Sequence, residues 1–230
     1  MAPDDQRPSY FETIPSLYRY IDFVVRHYKY DKIDILMGHS TGGLIATCYA
    51  EFKNRTRTDD NLFVNRLCLS SPFFAFDGNE TLLQIVSAVG LVFKTINIKS
   101  ASGTPNDITT EEYCRVPFND IYKSLLEPPA LSGWVRAVSL QHSRIANEEV
   151  NVRCRTTVYL SSQSAKGFSP DSDNILNVVA IKSLAGKING TGNVCVVDVP
   201  NSAHSVFLST DFVKTYLRPY LSATITENFI

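Results

Sequence analysis

Nowhere in this 230-residue sequence do apolar residues run on for the ~20 positions that a membrane-spanning helix needs. The opening residues, MAPDDQRPSYFE, are polar and acidic, so the apolar core of a secretory leader is missing as well. An excess of charge of either sign is also absent. The 22 Lys and Arg residues stand against 23 Asp and Glu, without a long block of either, which leaves no electrostatic basis for binding nucleic acid or another polyanion. The five cysteines (Cys48, Cys68, Cys114, Cys154, Cys195) never pair as C-x-x-C, and Cys68 and Cys195 sit in apolar runs. All five are expected to be buried, reduced thiols. These absences point to a cytoplasmic chain, with peripheral membrane contact left open. With 44% apolar residues, 1–230 is expected to form one domain around one core.

What is present is an alternation of helical and strand-like segments. Between Pro15 and Tyr30, Leu17, Ile21, Val24, Val25 and Tyr28 recur at the spacing of a helical face. The run KIDILMG then reads as a strand and GGLIATCYAEFKN as a helix. Three further apolar runs, NRLCLSSP (65–72), RTTVYLSS (155–162) and NVCVVDVP (193–200), read as strands. Strands alternating with helices predict an α/β fold, a mostly parallel sheet with flanking helices and ligands at the carboxyl ends of its strands. Residues 78–149 carry irregular helical periodicity broken by a Pro- and Gly-containing loop, the expected signature of a helical lid or cap insertion. The final segment DFVKTYLRPYLSATI reads as an amphipathic helix interrupted at Pro219.

The segment MGHSTGGL (37–44) sets Ser40 between a strand and a helix. A G-x-S-x-G pattern is weak alone, but in this context the serine would sit on a strained turn with its hydroxyl above the sheet. The N–H of Thr41, at the start of the helix, would face a developing oxyanion. Gly38 and Gly42 are expected to leave steric room for the turn. A serine nucleophile needs a base, and of four histidines only His204, in VPNSAHSVF, follows the last strand. His27 and His142 are read as structural. His39 is expected to project away from the attack face, and is counted with Phe73 and Phe74 as substrate-binding. The acid should follow the preceding strand, where Asp171 and Asp173 both lie. Asp173 is favoured because Asn174, Ile175 and Leu176 after it can pack the loop down, and either aspartate could instead cap the helix NILNVVAIKSL. The chain order Ser, Asp, His is that of α/β hydrolases.

Together, LMGHSTGGLIA, LCLSSPFFAF, SGWVRAVSLQHSRI, DNILNV and NSAHSVFLS resemble the lysophospholipase and monoacylglycerol lipase branch of the α/β hydrolases over most of the chain. The resemblance implies a serine hydrolase of acyl esters or lysolipids with Ser40, Asp173 and His204 as its triad, and neither metal nor organic cofactor. It implies an apolar acyl pocket near Phe73, Phe74 and Phe76. It also implies strands and an oxyanion loop ahead of the segment where this sequence starts, so a partial, N-terminally shortened fold is expected. The strand around Ile33 to Met37 would then lie at an uncovered edge, and self-association through that edge is left open. The alternative is a catalytically weak or inactive domain of the same fold that binds a lipid or protein partner.

Overall fold

The computed structural model describes residues 14–55, 63–76, 88, 97–98, 130–165, 171–190 and 194–206. In chain order the elements are helix α1 (Ile14–His27), strand β1 (Ile33–His39), helix α2 (Thr41–Arg55), β2 (Val64–Ser70), β3 (Asn97–Ile98), β4 (Ala130–Leu131), α3 (Ser132–Ala146), β5 (Arg155–Ser161), α4 (Val178–Ala185) and β6 (Val194–Val199). The main sheet has the order β1-β2-β5-β6, and every pairing in it is parallel. Among the described residues β1 pairs with β2 alone, and the small β3-β4 pair is antiparallel. The final segment expected as a helix lies outside the described residues, as does most of 78–129.

The central strands β2 and β5 are buried along nearly their whole length, as parallel strands covered on both faces must be. Their alternation sorts side chains by face. Leu67, Leu69, Val158 and Leu160 enter the large core, to which all four helices contribute, while Cys68 and Tyr159 join Val199 and Val206 in a smaller cluster. Helix α2 is buried almost all round, and its Asn54 acts as a polar staple. The Asn54 amide donates to the carbonyls of Val64 (2.9 Å) and Val152 (2.8 Å) and accepts the Val64 N–H (3.0 Å). Helix α3, which falls within the span assigned to a lid, packs on α2. Arg144 of α3 pairs with Glu51 of α2 at 2.6 Å, and Val135, Val138 and Ile145 are buried in the core.

Three expectations change here. The inward face of α1 runs through Tyr18, Ile21, Asp22 and Val25, leaving Val24 and Tyr28 exposed. A polar interaction outbids apolar spacing: Asp22 accepts from the Tyr49 hydroxyl (2.5 Å) and from Lys53 (2.8 Å) on α2, which turns the helix toward them. Cys195 is exposed on β6, while Cys48, Cys68 and Cys154 are buried free thiols. Position 195 pairs with Thr157 in register but lies on the outermost strand among the described residues, where an apolar sequence run does not guarantee cover. Gly42 is not the glycine that relieves crowding: a Cβ there would meet nothing within 4 Å, whereas at Gly43 it would lie 2.9 Å from Pro72 Cβ. Gly38 is the most constrained, with the Gly42 carbonyl oxygen 2.6 Å from any added Cβ.

This ordering predicts opposite outcomes for neighbouring glycines. Gly42→Ala should raise stability by about 0.5–1 kcal/mol, since it removes backbone freedom in a helix without a clash. Gly38→Ala should cost about 3 kcal/mol or more, because the obstruction is backbone. Thermal denaturation of the two variants reads both, and a Gly38→Ala protein as stable as the parent would refute the packing described.

Candidate active site

The turn between β1 and α2 lifts Ser40 to the carboxyl end of the sheet. Ser40 has φ 52, a left-handed conformation that an L-residue holds only under constraint. The constraint is a set of backbone bonds. Its N–H donates to Ser70 O (3.0 Å), and its carbonyl accepts from Gly43 (2.9 Å), Leu44 (3.3 Å) and Phe73 (3.0 Å). Thr41 opens α2, so its N–H precedes the helical ladder, and it makes no hydrogen bond among the described residues. Such a donor at a positive helix end suits an anion.

The acidic loop is built with more bonds still. Asp173 is fully buried. Its Oδ1 accepts the N–H groups of Ile175 and Leu176, both at 2.9 Å, and its Oδ2 accepts the Nδ1–H of His204 at 2.9 Å. Its backbone bridges to the loop after β5, through Asp173 N–H to Gln163 O and Ala165 N–H to Asp173 O. Burial alone would raise the carboxyl pKa, but the bonds from His204 and the two amides outweigh it and lower it. Asp171 makes no bond of this kind to His204, and neither aspartate caps α4: Asn177 does, accepting from Ala180 N–H at 3.1 Å.

His204 follows β6, is 4% exposed, and has its ring held by Asp173 through Nδ1, which leaves Nε2 as the unprotonated nitrogen of the neutral tautomer. Ser40 and His204 share no hydrogen bond here. The residue that joins the two halves is His39. Its ring lies 4.9 Å from that of His204, centroid to centroid, and its Nδ1 is 3.2 Å from the Ser70 carbonyl oxygen. The His39 ring thus packs on His204, the histidine that Asp173 holds. Loss of hydration, then repulsion from His204, keeps its pKa below the ordinary histidine range.

Phe73 and Phe74 lie beneath the elbow. Phe74 has no exposed surface and Phe73 only 9%. Phe73, Phe76, Trp134 and His142 form an aromatic box, with Phe73 edge-on to Phe76 and to His142, each at 5.0 Å, and stacked with Trp134 at 6.0 Å. His142, read from sequence as merely structural, donates Nε2–H to Phe73 O at 2.8 Å, and burial lowers its pKa to about 4. A signal for its inward direction was present, because His142 falls at helical spacing with the buried Val135, Val138 and Ile145. Among the described residues no group of His, Cys, Asp or Glu is arranged to hold a metal ion, and no helix is long and apolar enough to cross a membrane.

The architecture has close structural counterparts. A monoacylglycerol lipase from Paleococcus ferrophilus superposes with a TM-score of 0.64 at 15% identity, over 96% of this chain and 77% of the other. A soluble variant of the Saccharomyces cerevisiae monoglyceride lipase gives 0.60 at 14%, over 96% and 71%. A thermophilic esterase from Thermogutta terrifontis gives 0.52 at 18%, over 95% and 75%. No protein-family model matches the sequence, and no curated protein matches it.

The depressed histidines set a pH dependence of stability. Unfolded, His142 titrates near its ordinary 6.5, and folded only near 4, so on acidification the unfolded state takes up the proton first. The neutral ring's contribution is whole above pH 6.5 and is lost as pH falls toward 4, on the order of 3 kcal/mol. The lowered Asp173 carboxyl acts in the same direction at lower pH. Urea denaturation between pH 7 and pH 4 should thus show a shallower loss of stability in His142→Gln than in the parent, and equal slopes would contradict the burial of a neutral ring.

Proposed function

We propose that this chain, which has the α/β-hydrolase fold, is a serine hydrolase of carboxylic esters, with lysophospholipid or monoacylglycerol as the substrate class. The observation that carries the reading is the Asp173 to His204 bond at 2.9 Å, buried and set at the same sheet end as the left-handed Ser40. In the proposed sequence, Ser40 Oγ attacks the ester carbonyl and its proton passes to His204 Nε2. Asp173 holds the imidazole through Nδ1–H and stabilises the imidazolium that forms. The Thr41 N–H stabilises the tetrahedral oxyanion. His204 then returns the proton to the leaving alcohol, and water releases the acyl group by the same steps. The scheme requires the Ser40 to His204 hydrogen bond only in the substrate complex, since catalytic hydrogen bonds are often long in the free enzyme.

The lipase neighbours support an acyl substrate, and the aromatic box gives it an apolar side. We assign the acyl wall to Phe73 of that box together with its buried neighbour Phe74, and the leaving-group side to His39, which lies against His204. No metal or cofactor enters the scheme.

A fluorophosphonate probe should label Ser40 alone, and Ser40→Ala should abolish both labelling and turnover of p-nitrophenyl butyrate. Asp173→Asn should lower kcat by up to ~10⁴, because it leaves the histidine in the wrong tautomer, while Asp171→Asn stays near the parent. Label retained in Ser40→Ala would remove the serine from the mechanism. The competing reading, a silent domain that binds lipid, would be supported by lysophospholipid binding without any labelling of Ser40.

A further inference from the structure

We infer that His142 is a positioning residue for the nucleophile, acting through the backbone of Phe73. The inference rests on the assignment of Ser40 above, and extends it to a side chain on α3.

The Phe73 backbone is bonded through both of its polar groups, which belong to successive peptides. Its N–H donates to Ser40 O at 3.0 Å, and its C=O accepts His142 Nε2–H at 2.8 Å. The other two donors to Ser40 O, Gly43 and Leu44, belong to the turn of α2 that Ser40 itself begins. Phe73 is thus the donor that references the strained serine to a different part of the fold. Its own segment, 71–76, has no regular secondary structure. Ser71 at its head is also left-handed, with φ 41, and is fixed by its N–H to Tyr159 O at 2.9 Å. Pro72 wedges against Gly43. Downstream, Phe74 N–H reaches only back to Pro72 O, so His142 is the contact that fixes the Phe73 carbonyl from outside the segment.

An imidazole suits this place for two reasons. A carbonyl can only accept, so the ring is protonated on Nε2, and it is held by edge contacts to Phe73 (5.0 Å) and Phe76 (4.9 Å). The bond from His142 polarises the peptide of Phe73 C=O and Phe74 N–H, and that N–H in turn donates to Pro72 O (2.9 Å), whose peptide carries the Phe73 N–H. A chain of hydrogen bonds through two successive peptides thus strengthens the bond to Ser40. Losing the donor leaves a buried carbonyl without a partner and frees the peptide to tilt. A displacement of about 1 Å at a reacting group lowers turnover by as much as ~10².

Two variants separate the hydrogen bond from packing. His142→Phe keeps a ring but removes the donor, and His142→Gln keeps a donor but removes the ring. With p-nitrophenyl butyrate, His142→Phe is expected to lower kcat at least about tenfold with KM changed less than about twofold. The rate of fluorophosphonate labelling should fall by the same factor. His142→Gln should stay within about threefold of the parent. Hydrogen–deuterium exchange of the peptide spanning residues 38–44 reads the elbow without turnover, and should quicken in His142→Phe but not in His142→Gln. Unchanged labelling and unchanged exchange in His142→Phe would overturn the inference. So would equal losses in both variants that follow their melting temperatures. A parent protein that is never labelled, yet shows the expected exchange difference, would sink the hydrolase reading and leave the positioning role standing.

Discussion

A serine with φ 52 is tolerated in this molecule because its backbone N–H and C=O are held by four hydrogen bonds. The left-handed conformation costs on the order of 1–2 kcal/mol, and three N–H groups converging on its carbonyl, at about 0.5–1.5 kcal/mol each, are enough to hold it. Much of the surrounding sequence follows from that grip. Gly38 and Gly43 lack side chains because the turn and Pro72 occupy the space, and Ser71 takes a second left-handed turn so that Phe73 can reach back.

The acid and base are arranged on a different principle. Asp173 is immobilised by saturating its carboxylate with donors, and His204 is then fixed by a single bond to it. Parallel strands deliver the loops after β1, β5 and β6 to one end of the sheet, which is why residues far apart in the chain meet there. Ser70 connects the two systems, since its carbonyl receives the Ser40 N–H and lies within reach of His39 Nδ1, whose ring rests on His204.

The parallel sense of the main sheet, the positions of its four strands and the meeting of Asp173 with His204 were legible in the sequence, because each depends on local patterns: apolar runs, turn residues and the order in which loops follow strands. The β3-β4 pair, inside the span read as helical, was not. Features set by contacts between distant segments were not. The face of α1 was decided by Asp22 finding Tyr49 and Lys53, and apolar spacing carries no record of that pairing. Gly42 and Gly43 look alike in the motif, and only the position of Pro72 distinguishes them. The packing of His39 on His204 depended on where the loop after β6 came to rest. Cys195 reads as a core thiol until its strand is placed outermost among the described residues.

The Asn54 amide bears on how the chain reaches this state. One side chain ties the start of β2 to the Val152 carbonyl, 98 positions beyond Asn54 itself, so the link cannot form until the intervening chain has been gathered and its closure entropy met. The main sheet has the same character, because among the described residues every pairing in it is parallel and none is a hairpin. Formation of the sheet should therefore be slow and late. The aspartate and histidine lie in the loops after β5 and β6, and the segment that grips the serine turn is itself anchored on Tyr159 of β5, so a partly refolded chain would gain the strained serine and the pair that activates it together.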